Sequence, residues 1–431
     1  MVRVKFFARG FGSVRRLIHW WYQCRWIVNK VEVFWKPYET RQAVVDEVRA
    51  LKMIKSRSFL LALSLVVVLN GTVVDASSAG SRCSKVGVIK RSKSLTLVCQ
   101  RSGTKLVWTR QIATSTTTTT VALPTTPTGW SDVEKYAAGI TYAAWKASSA
   151  AIAAGTSRVP SPQILNGSNA VVTNASPETA IGLASRLFST AAQPNQLTIM
   201  RFGYEDIEWA RAQWVAKFGG QDSSVASEVQ SGCATPTTCW GGVARITSSG
   251  EAWISLATMK ANTSSSRHVT GALEAHEFVH TIQAKPFSGI TGRTFNHLPR
   301  WLLEGMASWS QAAVLGVTSF DAYKAERNRE VSGFKNSVAW LEAFLAPTGT
   351  DWTHWNSYTG NDSWRIYDVG FLATEVLVAL KGPATAMRLY ANVAGGQSFD
   401  NAFAELYGVS WGEAYKKIAR AIAIEVGTAT P

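Results

Sequence analysis

The run Thr114-Ser-Thr-Thr-Thr-Thr-Thr120, followed by Pro124 and Pro127, cannot build a packed core. It offers almost no apolar side chain to bury, and its prolines remove backbone donors. The chain must therefore fold separately on either side of it. We place a linker at residues 111–129, a small unit at 80–110 and a large unit at 130–431. A length of 431 residues suits more than one unit. With 46% hydrophobic and 17% charged residues, the chain has enough apolar material for a core.

Charge divides at the same place. The formal net charge is +15, but Arg82, Lys85, Lys90, Arg91, Lys93, Arg101, Lys105 and Arg110 crowd into the small unit, which has no acidic residue. The segment before residue 80 is also basic, and the large unit is close to neutral. The high charge therefore describes the first 110 residues and says nothing about what the large unit acts on. A dense basic surface attracts anionic polymers, so an anionic cell-wall polymer is the expected partner of residues 80–110. A solubilising basic surface is the plainer alternative. No recognition motif accompanies the charge, and nucleic acid is not expected.

Upstream, Lys55 and Arg57 precede the short apolar run Phe59 to Leu69, and Ala76-Ser-Ser-Ala79 offers small residues before Gly80. This is the pattern of a signal peptide over residues 53–79, with an uncleaved anchor as the alternative. The run falls short of the ~20 residues of a membrane span, and no stable span is expected elsewhere. Met53 sits just before it, which makes residues 1–52 a doubtful leader: a cytoplasmic extension, or sequence upstream of the natural start. Trp20, Trp21, Trp26 and Trp35 lie there among arginines without a helical or strand period. A secreted or cell-wall-associated protein is expected. Outside the leader, which holds Cys24, the cysteines form two local pairs, Cys83/Cys99 and Cys233/Cys239. Export permits both bridges. Free thiols and metal binding remain open, although neither pair has CxxC spacing.

In the small unit, Val86 to Ile89, Leu95 to Val98 and Leu106 to Trp108 suit short strands closed by Cys83–Cys99. In the large unit, helices are expected over 132–154, 177–190 and 205–218, and strands over 196–202, 245–246 and 252–257. From Val269 onward nearly everything reads as helix. Sparse strands followed by many helices indicate an α+β fold, with a small antiparallel or mixed sheet ahead of a mostly helical region.

His276-Glu-Phe-Val-His280 carries the chemistry. On a helix, residues i and i+4 share a face, so two neutral imidazoles can each give a ring nitrogen to one zinc ion. Glu277 is then placed to take a proton from water at the metal. A catalytic site needs a third protein ligand. Glu304 lies 24 residues beyond His280, in Pro299-Arg-Trp-Leu-Leu-Glu-Gly-Met-Ala307. Pro299 suits a helix start, and Gly305 and Ala307 would allow this helix to approach the first closely. A carboxylate among Trp301, Leu302, Leu303 and Met306 needs a partner that offsets its burial, and a metal supplies one.

HExxH followed on a second helix by Trp-Leu-x-Glu-Gly-x-Ala resembles the gluzincin clan of zinc metallopeptidases, which includes thermolysin-like and aminopeptidase-like enzymes. The resemblance spans roughly residues 245–426. It implies a zincin-like helical domain, Zn2+ as cofactor, a peptide or protein substrate, His276, His280 and Glu304 as metal ligands, and Glu277 as general base. Tyr367-Asp-Val-Gly370 resembles a Tyr-x-x-Gly helix of the aminopeptidase-like members, which implies that Tyr367 stabilises the oxyanion. Tyr358 and His354 are the alternatives for that role. The helices around Phe399, Phe403, Tyr407 and Trp411 also fit that group. By analogy, the strand 252–257 would be the edge strand that pairs with extended substrate.

The chain departs from the clan in two places. No Gly-x-Met-Glu-Asn segment holds a substrate N-terminus, and Ser308 stands where thermolysin-like enzymes have an aspartate. His297 could assist from a loop, and His268 is read as structural or exposed. An inactive wall-binding protein and a zinc hydrolase of a wall amide are the competing readings.

Overall fold

The computed structural model describes residues 81–111 and 123–431, apart from 84, 87, 93–94, 220–228, 230–231, 262–265 and 349–351. The expected leader and signal peptide lie outside the described residues. The chain divides into two compact units that part between Val121 and Ala122. The fold is α+β.

In the first unit, β1 (Ile89–Ser92), β2 (Leu95–Ser102) and β3 (Lys105–Gln111) form an antiparallel sheet with β2 central. Ser102 pairs with Lys105 across a two-residue loop. Gly103 opens that loop at φ 61°, the positive φ that tight two-residue hairpin turns require there. So small a sheet buries little. Among the described residues Leu97 and Cys99 are buried, and the Cys83–Cys99 disulfide ties the segment ahead of β1 to the central strand. Such a link substitutes for the core that ~30 residues cannot build.

The second unit holds a four-stranded mixed sheet in the order β4 (Gln163–Asn166), β5 (Gln196–Phe202), β7 (Glu251–Ala257), β6 (Gly242–Ile246). β4, β5 and β7 run parallel, and β6 pairs antiparallel with β7. β5 and β7 are buried almost without interruption because both faces are covered, which is why they read as near-continuous apolar runs. This corrects the placement of the edge strand. The strand at 252–257 is interior, with β5 on one side, and β6 lies at the edge.

Helices occupy most of the remainder: α1 (Ile140–Ala154), α2 (Pro177–Leu187), α3 (Ile207–Phe218), α4 (Ser266–Val269), α5 (Ala272–Ala284), α6 (Arg300–Leu315), α7 (Phe320–Val331), α8 (Val338–Leu345), α9 (Thr353–Asn356), α10 (Arg365–Ala394), α11 (Phe399–Tyr407) and α12 (Trp411–Glu425). α1 starts later than its alanine pattern suggests. The Asp132 carboxylate accepts from the Thr128 and Gly129 amides at 3.0 Å and holds a turn where a first helical turn would be.

α10 is the central helix, packed along α6 and α1. Gly382 at φ 76°, just before Pro383, breaks it into two helical pieces. By length and composition the segment Asp362–Ala394 could cross a membrane, contrary to the expectation that no stretch would. Yet 67% of its apolar window is buried inside this unit, so its hydrophobicity serves the core.

Candidate metal centre

α5 is buried on nearly every side, and the polar residues it carries outside the site are partnered: Glu274 with Arg201 at 3.8 Å, and Thr281 with the Phe278 carbonyl. It begins at Gly271, φ 83°, where a Cβ would come within 2.7 Å of the Ala180 Cβ on α2. Only glycine turns the chain from α4 into α5 so close to α2. His276 and His280 then face the same way, one turn apart.

α6 brings the third group. Pro299 caps it, and Glu304 follows in the next turn. Gly305, adjacent to Glu304, lies against the backbone of Gly370 on α10, and a Cβ on either glycine would overlap the other helix. The small residues therefore seat α6 and α10 backbone to backbone, at the level of Glu304 and three residues beyond Tyr367.

Three ligand atoms converge. His280 Nε2 lies 3.1 Å from His276 Nε2, and Glu304 Oε2 lies 3.5 Å from the first histidine and 3.4 Å from the second. A four-coordinate ion with ligands at ~2.0–2.2 Å spaces its donors about 3.3–3.6 Å apart. The triangle is thus close to what such an ion requires, and His276, His280 and Glu304 form a group that could hold a metal ion.

The electrostatics agree. Burial pushes the His276 imidazole down to about 4. On His280 burial opposes charge too, but Glu304 outweighs it and lifts the imidazole to about 9. Burial likewise opposes the Glu304 carboxylate, yet His280 and His276 hold it well below the usual carboxylate range. The carboxylate thus demands a positive charge at the centre of the triangle. A metal cation meets that demand while leaving both imidazoles neutral, the state in which they ligate.

Glu277 is buried beside this group, and burial raises its carboxyl to about 7. The edge strand β6 passes over it. A Cβ at Gly242 would come within 2.6 Å of Glu277 Oε1, so only glycine leaves that carboxyl its space. Arg267 of α4 acts electrostatically on both His276 and Glu277 and reaches Gln311 Oε1 at 3.5 Å.

The Tyr367 ring lies 6.2 Å from that of His276 and stacks on Trp364 at 5.7 Å. Tyr358 and His354 instead pack on each other and on Phe344, with Trp340 also against Tyr358. His297 closes a local turn with the Thr294 carbonyl at 3.0 Å. His268 is buried, and burial pushes it down to about 4.

The outer partners of the two histidines differ. His280 Nδ1 lies 2.7 Å from Gln283 Oε1, whereas His276 Nδ1 has no hydrogen-bond partner among the described residues. Ser308 Oγ is likewise buried without one. The sequence reading missed Gln283, Gly242 and Arg267. The i+3 spacing of Gln283 from His280 was a usable signal for the first; nothing local marked the other two.

Compared with known proteins, the chain matches no family model, no curated protein and no solved structure.

Proposed function

We propose that the protein is a secreted zinc metallopeptidase of the gluzincin kind, acting on a peptide or protein substrate. The observation that carries the reading is the His276–His280–Glu304 triangle with Glu277 buried next to it. Two imidazoles and one carboxylate are the donor set of many catalytic zinc sites. The two disulfides support an oxidising compartment.

His276, His280 and Glu304 would hold the ion, which when bound acidifies water and polarises a carbonyl. Glu277 accepts a proton from the attacking water and passes it to the leaving amine. Tyr367 donates a hydrogen bond from its hydroxyl to the oxyanion that develops on the scissile carbonyl. The side of β6 away from β7 would offer backbone groups to an extended peptide, taking the place expected of the strand at 252–257.

The test is zinc analysis of the purified protein together with cleavage of a peptide library, with Glu277→Gln as control. We expect one zinc per chain and peptide cleavage, with Glu277→Gln keeping the metal and losing the cleavage. A chain that takes up no zinc, or a Glu277→Gln variant that cleaves like the wild type, overturns the reading. Zinc uptake without peptide cleavage by the wild type would move it to a wall amide or to a non-catalytic role.

For the small unit, we propose binding to an anionic cell-wall polymer. Arg82, Lys85, Arg101 and Lys105 are all exposed there, and no acidic residue offsets them.

A further inference from the structure

Gln283 is fully buried and makes three hydrogen-bond contacts at once. Its Nε2 lies 3.0 Å from the Leu303 carbonyl oxygen and 3.0 Å from the Tyr390 hydroxyl. Its Oε1 lies 2.7 Å from His280 Nδ1. The Leu303 oxygen can only accept, so the amide nitrogen must face it and the amide oxygen must face His280. An amide oxygen can only accept as well. His280 Nδ1 must therefore carry a hydrogen, so that the neutral imidazole that a cation at the triangle requires has its lone pair on Nε2, the atom that faces His276 and Glu304. A backbone carbonyl on one helix thus decides the tautomer of a histidine on another.

The same amide joins the elements that build the centre. Leu303 precedes Glu304 on α6, and Tyr390 belongs to α10. Gln283 on α5 therefore fixes the distance between the helix that carries both histidines and the helix that carries the carboxylate. His276, without such a partner, serves as the internal contrast.

We propose that Gln283 is a positioning residue for the metal centre. It holds His280 in the Nδ1–H form with Nε2 free to ligate, and it locks α5 to α6 beside Glu304. The proposal rests on the metal-site reading above. Outer partners of metal ligands contribute about 10- to 100-fold in metal affinity.

The test measures zinc affinity by chelator competition and the visible spectrum of the Co2+-loaded protein, for wild type, Gln283→Leu and Gln283→Glu. Gln283→Leu removes the acceptor and the donor. We expect about 10- to 100-fold weaker zinc binding and an altered Co2+ spectrum. Gln283→Glu keeps an acceptor for Nδ1–H but loses the donor to Leu303, and its zinc affinity should fall between the two. If Gln283→Leu does not fold, the Glu variant decides: an unchanged Co2+ spectrum and wild-type affinity overturn the proposal. So does a folded Gln283→Leu variant with both properties unchanged. A wild-type protein that binds neither metal would instead sink the metal-site reading itself.

Discussion

At the scale of single residues, the centre is a balance between burial and charge. His276, Glu277, His280 and Glu304 are polar groups in a largely apolar helical interior, and each costs free energy there unless its neighbours compensate. The triangle compensates three of them. Glu277 is left with a raised carboxyl and a glycine above it. Tyr367 stands beside His276, and of the three candidates for oxyanion partner its ring contact with the centre is the one observed. Tyr367→Phe should keep zinc and fold normally but lose about 10²-fold in turnover, with KM little changed. Steady-state kinetics on a defined peptide would check this. Normal turnover in that variant would direct attention to Tyr358 or His354. HExxH was legible in the sequence because its histidines sit one helical turn apart, and Glu304 because it stands as a lone carboxylate among Trp301, Leu302, Leu303 and Met306. The hydrogen-bonding role of Gln283 was not, because two of its three partners lie 20 and 107 residues away.

At the scale of elements, the crossing of α6 and α10 sets the site. Gly305 and Gly370 let the two backbones touch, so Glu304 and Tyr367 come from helices held in one register. Gly305→Ala should destabilise the protein by about 1–3 kcal/mol or more, because the added methyl meets backbone that cannot move aside. Urea unfolding of the metal-free protein would measure it. A variant as stable as the wild type would show that the helices part without penalty. Tyr323 and Arg327 on α7 hold α10 at Glu375, five residues beyond Gly370. The Tyr323 hydroxyl meets Glu375 Oε1 at 2.7 Å, and Arg327 reaches Glu375 Oε2 at 2.8 Å and Glu425 Oε1 at 2.7 Å. These contacts join α7, α10 and α12 through groups that the sequence shows only as scattered charges. The late start of α1 has the same origin, because a side-chain turn at Asp132 overrides alanine propensity.

At the scale of the whole molecule, the two units have different chemistry. One is small and basic; the other is large, nearly neutral and carries the His276–His280–Glu304 group that could hold a metal. If residues 80–110 dock on an anionic polymer, retention of the full-length protein on a polyanionic resin should fall steeply with added salt. Replacing Arg82, Lys85, Arg101 and Lys105 with glutamine should release it at markedly lower salt. Retention unaffected by either change would refute the docking.

The sequence by itself determined the α+β class and the helical spacing of the two histidines, and it offered the local cysteine pairs as the simplest of the pairings open to it. Each depends on residues near one another in the chain, where composition and period act directly. Only the tertiary structure decided that Glu304 meets the histidines, that β6 and not β7 lies at the sheet edge, and that a buried glutamine sets the tautomer of His280. Those outcomes depend on how close two backbones can come and on which donor faces which acceptor across distant segments. Periodicity carries no record of either.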